Sequence, residues 1–167
     1  IPEGVTAIGD SAFKDCAALE GINLSSELTT IGSGAFSGCA SLRELSIPKN
    51  VTALPESVCQ GCTGLTTVRL PQNLRSIGAF AFEGCGALGD IVLPDGVTSI
   101  GNRAFRNGST LPNIVLPEKL RTIGYSAFEG CPGLVWQRIP PNVTSLGDNA
   151  FGGCPDLKFL LVPDALQ

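Results

Sequence analysis

The sequence predicts a β-rich repeat solenoid, a single array of about seven coils over residues 1–167. Three observations predict it. The chain matches itself along its whole length when displaced by 23 residues. No insertion or deletion interrupts that register. Each unit closes on apolar residues two apart, which is how a short strand with one buried face is written. A fixed period of this size means that each repeat is one coil and that neighbours bury one another's apolar residues. At the ~4.8 Å spacing of paired strands the array is about 34 Å long.

The unit reads P-x-x-V-T-x-I-G-x-x-A-F-x-G-C-x-x-L-x-x-I-x-L. Its proline (Pro2, Pro48, Pro71, Pro94, Pro117, Pro140) ends the preceding strand, having no N–H for a ladder. V-T-x-I, as in Val97 to Ile100, is short and β-branched and reads as a strand. Its last position holds Ile8, Ile31, Leu54, Ile77, Ile100, Ile123 and Leu146. The following glycine is expected to serve a turn that needs positive φ. A-F-x-G-C is expected to form a short helical or 3₁₀ turn. Its aromatic enters the core at Phe13, Phe36, Phe82, Phe105, Phe128 and Phe151, with Cys59 in the same slot. L-x-x-I-x-L, as in Leu42, Leu45 and Ile47, is the closing strand. Every coil runs the same way round, so strands stack in parallel.

Here a family resemblance enters. L-x-x-I-x-L resembles the strand signature of leucine-rich repeats. "VTSIGNRAF" (Val97 to Phe105), within IPxxVTxIGxxAFxxCxxL, resembles the BspA-like class, and the resemblance covers residues 1–167 without a gap. It implies a right-handed, curved solenoid with the L-x-x-I-x-L strands on the concave face. It also implies company among surface or secreted proteins of bacteria and protists that bind host or matrix proteins. Fold analogy does not fix function.

Composition narrows the remainder. Apolar residues make up 43% and charged residues 16%, enough for a continuous core. No apolar run approaches the ~18 residues of a membrane-spanning helix, so no direct membrane insertion is expected. A net charge of -4 with 11 scattered basic residues argues against nucleic acid. The chain starts at Ile1 within a repeat and contains no Met, so it reads as part of a longer protein.

Catalytic chemistry has little to stand on. With no histidine, Ser-His-Asp and Cys-His catalysis and the commonest zinc ligand are absent. No paired carboxylates recur at one level of the array. We therefore expect no enzyme, no cofactor and no metal site. The cysteine slot holds Cys16, Cys39, Cys62, Cys85, Cys131 and Cys154, with Gly108 in coil five. These are expected to be small buried plugs in a ladder, not disulfides. "CQGC" (Cys59 to Cys62) is explained by register: Cys62 is the ladder cysteine and Cys59 stands in the aromatic slot. That coil also has Pro55 for glycine and Val58 for alanine and is expected to pack less well. Sequons at Asn23, Asn50, Asn107 and Asn142 could carry glycans in a eukaryotic secretory protein, though the repeat itself writes two of them.

The non-repeating slots carry the functional signal. In L-x-x-I-x-L the third and fifth residues point away from the core. The third reads Gly21, Glu44, Thr67, Asp90, Asn113, Trp136, Phe159; the fifth reads Asn23, Ser46, Arg69, Val92, Val115, Arg138, Leu161. Early coils are small and polar, late coils apolar. Val115, Trp136, Phe159 and Leu161 are expected to form one patch beside Arg138, the composition of a binding hot spot. The competing reading has these side chains covered by a terminal cap or a following domain. Gln137 falls in an inward slot, so it needs a buried hydrogen bond or a local bulge that re-aims Trp136. The reading is a non-catalytic protein-binding module, adhesive or recognising, of a surface or secreted protein. The alternative is a structural or scaffolding subunit of a larger, intracellular, multi-protein complex, towards which the unpaired thiols lean.

Overall fold

The computed structural model describes residues 1–108, 111 and 114–166. In chain order the strands are β1 (Ala7–Ile8), β2 (Thr30–Ile31), β3 (Glu44–Ser46), β4 (Ala53–Leu54), β5 (Thr67–Arg69) and β6 (Ser76–Ile77). They continue with β7 (Asp90–Ile91), β8 (Ser99–Ile100), β9 (Thr122–Ile123), β10 (Trp136–Arg138), β11 (Ser145–Leu146) and β12 (Phe159–Leu161). Every pairing is parallel and joins equivalent positions of successive units: Ala7 faces Thr30, Leu45 faces Val68, Gln137 faces Leu160. The chain is thus a parallel-strand solenoid of about seven turns with almost no helix.

Two columns of strands run along the array, one from V-T-x-I and one from L-x-x-I-x-L. The V-T-x-I column is interrupted at a proline. In the V-T-x-I column, the N–H of the residue after the strand bonds back to the preceding coil: Gly32 to Ile8 O at 2.8 Å, Gly78 to Leu54 O at 3.0 Å, Gly101 to Ile77 O at 2.8 Å. Pro55 occupies that slot in coil three and has no N–H. The sheet β1-β2 accordingly ends there, and a second sheet β4-β6-β8-β9-β11 begins. In the other column, the second residue of L-x-x-I-x-L donates backwards: Arg43 to Glu20 O, Thr66 to Arg43 O, Gly89 to Thr66 O, Lys158 to Val135 O. The sequence puts Pro112 in that slot of coil five, a residue outside those described. Among the described residues the strands of this column form the sheets β3-β5-β7 and β10-β12.

Between the columns lies the core. Phe82, Phe105, Phe128 and Phe151 stack with centroids 5.4, 5.2 and 5.2 Å apart, and Phe13 stacks on Phe36 at 5.5 Å. Cys59 interrupts the stack. Coil three keeps its core slots covered all the same: Val58, Cys59, Cys62 and Leu65 are fully buried.

Two sequence expectations about turns are corrected. A-F-x-G-C is neither α nor 3₁₀ helix but a run of turns; the one 3₁₀ element among the described residues is Asp164–Leu166. Alternate residues donate forward to the next coil, as in Ser57 to Ala79 O, Cys59 to Ala81 O and Gly61 to Glu83 O. Those between bond three residues back, as in Gln60 to Ser57 O. Second, the glycine after V-T-x-I does not supply positive φ. That conformation falls two residues later, on Ser11, Gly34, Ser57, Phe80, Arg103, Ser126 and Asn149. The glycine is there for close approach, since a Cβ on Gly124 would lie 2.5 Å from the backbone N of Asn102 in the coil before.

Candidate functional site

The candidate site is built on β10, β12 and residues 114–118. Strand alternation sends Trp136 and Arg138 outward and Gln137 inward, where it is 3% exposed. β10 and β12 keep register at Trp136–Phe159, Gln137–Leu160 and Arg138–Leu161, so no bulge re-aims Trp136. Gln137 takes the other course open to it: its Nε2 donates to Arg138 O at 2.9 Å. Its Oε1 is buried with no partner.

The residues expected to form the patch are exposed: Val115 81%, Trp136 45%, Phe159 63% and Leu161 52%. Val92, one coil earlier, is exposed as well. Val115, Trp136 and Arg138 line one groove of about 310 Å³ with Ile114, Leu116, Glu118 and Gln137. Phe159 and Leu161 lie on the adjoining strand. Arg138 is ion-paired to Glu118 at the exposed rim, which gives the groove a polar edge. Asn142 Nδ2 donates to the backbone carbonyl of Glu118 at 2.8 Å. Asn113, in the same outward column, lies outside the described residues. Sequence reasoning passed over Glu118. The pairing joins the second and the twenty-second slots of one unit, which a column-by-column reading does not compare.

A second surface lies on the convex loops of Asn102, Arg103 and Arg106, which the sequence offers as the next to test. On the turn side of the coils, the Arg103 guanidinium lies 5.7 Å from the Phe80 ring centroid and 5.5 Å from that of Tyr125. Next to it, Arg106 bridges Glu83 at 3.4 Å and Glu129 at 3.1 Å. These ties join successive coils and are partly exposed, so each contributes little individually.

The cysteines are free. They do more than fill space. Sγ of Cys39, Cys62, Cys85, Cys131 and Cys154 donates to the carbonyl of Phe13, Phe36, Cys59, Phe105 and Phe128 respectively, at 3.0–3.1 Å. The slot therefore suits a small residue with a weak donor. Burial pushes the Cys39 thiol up to about 11 and Cys131 up to about 12. Its hydrogen bond to Cys62, and then burial, hold Cys59 well above the usual thiol range. Both cysteines of the C-x-x-C are fully buried. Native-state thiol labelling should accordingly be rapid at exposed Cys16, slower at half-buried Cys154, and limited by unfolding at the other five. Rapid labelling of Cys59 or Cys62 would contradict this placement.

Among the described residues no three His, Cys, Asp or Glu side chains stand together as a metal site. Nor is any helix there long and apolar enough to cross a membrane. The sequon asparagines Asn23, Asn50, Asn107 and Asn142 are exposed, and Asn50 Nδ2 donates to Ser26 O at 3.2 Å. Ser109, in the Asn107 sequon, lies outside the described residues.

The relatives of this chain are repeat proteins. The model of the BspA type leucine rich repeat region matches residues 1–111 and 76–167, with six copies. A leucine-rich repeat protein from Bacteroides ovatus is 34% identical with a TM-score of 0.91; the match covers 96% of this chain and 42% of that one. A leucine-rich repeat protein of T. pallidum is 31% identical with a TM-score of 0.84, covering 92% and 72%. A leucine-rich cell surface protein from Faecalibacterium prausnitzii is 28% identical with a TM-score of 0.72, covering 96% and 52%. No curated protein matches. This chain therefore spans less than half the length of the Bacteroides ovatus protein it resembles. Such repeats generally serve as protein-interaction modules and are typically non-catalytic. The matched repeats run from end to end, and the chain belongs to the BspA-type leucine-rich repeat family.

Proposed function

We propose that this array is a non-catalytic protein-binding module of a surface or secreted protein, and that its contact face is the late concave patch of Val115, Trp136, Arg138, Phe159 and Leu161. One observation carries the reading. The largest apolar side chains of the outward columns stand exposed in adjoining coils, beside an arginine paired with Glu118. The corresponding early positions are Gly21, Glu44 and Thr67. Exposed apolar area on that scale marks a contact surface, and buried aromatic and arginine anchors dominate contact energies. The surface placement has its support in the name of the Faecalibacterium relative.

The test is a quantitative pull-down from matrix components and cell extract, followed by affinity measurement on the purified partner. Trp136→Ala should weaken binding about thirtyfold, the equivalent of ~2 kcal/mol at a hot spot. Glu44→Ala should leave affinity unchanged. Retained affinity with both Trp136 and Phe159 truncated would move the contact elsewhere, first to the Arg103 surface.

A further inference from the structure

We propose that the interface between coils two and three is the parting plane of the array, at which coils one and two (residues 1–47) come away from the rest as a single unit. The patch residues Val115, Trp136, Arg138, Phe159 and Leu161 all lie beyond that plane. Opening therefore leaves them in place, whatever they bind.

The first support is a pair of missing rungs. Coil two donates to coil one through Thr29 N to Thr6 O and Gly32 N to Ile8 O, both at 2.8 Å. Coil four donates to coil three through Arg75 N to Thr52 O at 2.7 Å and Gly78 N to Leu54 O at 3.0 Å. The three junctions that follow carry the same pair. Between coils two and three neither forms: Thr52 N meets no acceptor on coil two, and Pro55 has no N–H. β2 and β4 are accordingly the one successive pair of strands in this column that is not joined.

The cause is steric. At Gly32, Gly78, Gly101, Gly124 and Gly147 a Cβ would lie 2.3–2.5 Å from backbone of the coil before. Pro55 brings a Cβ and a ring to that slot, so coil three stands off coil two there and carries Thr52 out of reach. The core sharpens the contrast. Phe13 and Phe36 stack at 5.5 Å with rings 2° from parallel, tying coil one to coil two, whereas Cys59 offers Phe36 no ring on its other side. Cys59 also withholds a ring from Phe82 of coil four, but both rungs are present at that junction.

Stability in a linear array is a sum over nearest-neighbour interfaces, so partial opening begins at the weakest of them. Turn-side bonds still cross the plane: Gly34 N to Glu56 O, Phe36 N to Val58 O and Gly38 N to Gln60 O, at 2.8–2.9 Å. They break when the unit leaves, which makes their amides reporters of the event.

Native-state hydrogen exchange on the intact chain, read amide by amide by NMR, is the test. Ser11, Phe13 and Asp15 donate across the junction of coils one and two. They should be protected to the same degree as Gly34, Phe36 and Gly38, because the unit opens whole. Phe80, Phe82 and Gly84, which bridge coils four and five, should be protected about thirtyfold more, the worth of two backbone hydrogen bonds. Pro55→Gly installs the residue that the repeat writes in this slot and restores the rungs. It should raise protection at Phe36 about thirtyfold and slow labelling of the Cys39 thiol by the same factor, while Phe82 and Cys131 gain nothing. Protection that falls coil by coil from coil three to coil one overturns the single unit. Equal protection at Phe36 and Phe82 overturns the weak plane. A step that survives Pro55→Gly overturns the proposal too, since the missing donor is then not its cause.

Discussion

Phe105→Ala should lower the unfolding free energy by about 4 kcal/mol, the middle of the range for a buried phenylalanine truncated in a core. Phe105 is fully buried and stacked on both sides, 5.4 Å from Phe82 and 5.2 Å from Phe128. The loss has two parts. The ring's transfer energy disappears, and a void remains because the coils cannot close over it. Backbone bonds pin the flanking coils on each side, Phe82 N to Ala104 O and Phe105 N to Ala127 O, both at 2.8 Å. The control is Phe80→Ala, only two residues from a core position. Phe80 is half-buried in a variable slot and meets the Arg103 guanidinium, so its removal should cost roughly 1 kcal/mol. Urea titration followed by circular dichroism measures both. A solenoid is stabilised by nearest-neighbour interfaces, so a defect in the middle coil can also split the transition, which would show as a reduced m-value. Equal losses for Phe105 and Phe80 would mean that the repeat register is displaced.

That register was legible because burial and strand pairing repeat the same demand at each coil. The apolar slots fall every 23 residues, and hydrogen-bonded pairs such as Thr66 with Arg43 fall at that separation. The break in the V-T-x-I column was legible only after the donors were known. Pro55 looks like ordinary variation until the slot it occupies proves to be one whose N–H joins two coils. The turns were misread for a related reason. Glycine is written both where φ must be positive and where a backbone must approach another closely, and the letter does not distinguish them. The position that does have positive φ is filled by Ser11, Gly34, Phe80, Arg103 and Asn149 among others, which leaves no compositional trace. At the candidate site the alternation in "LVWQRI" sufficed to place Trp136, Gln137 and Arg138. The groove did not follow from it, because a groove depends on how side chains of neighbouring coils pack, which alternation within one strand does not describe.

Gly124→Ala should destabilise the array by about 3 kcal/mol, the upper part of the usual range for overpacking, whereas Gly9→Ala in the same slot should not. The new Cβ on Gly124 would lie 2.5 Å from Asn102 N, 2.6 Å from Gly101 C and 2.7 Å from Asn102 Oδ1. Two of these are backbone atoms of the preceding coil, which have no rotamer to escape into. Relief requires the coils to move apart. That strains the bond from Gly124 N to Ile100 O at 2.9 Å and the stacked rings of Phe105 and Phe128. At Gly9 a Cβ meets nothing within 4 Å, because no described coil lies before it. Neither glycine has φ in the left-handed region, so alanine is not conformationally excluded at either. Gly9→Ala should therefore be neutral or slightly stabilising, by up to about 1 kcal/mol, through the reduced freedom of the unfolded chain. The pair separates the two reasons for which a repeat keeps a glycine. If the slot served a special turn, the two substitutions would cost alike. If it serves close approach between coils, only the substitution whose Cβ meets backbone will. Thermal and urea unfolding of both variants decides the matter, and equal destabilisation would refute the close-approach account.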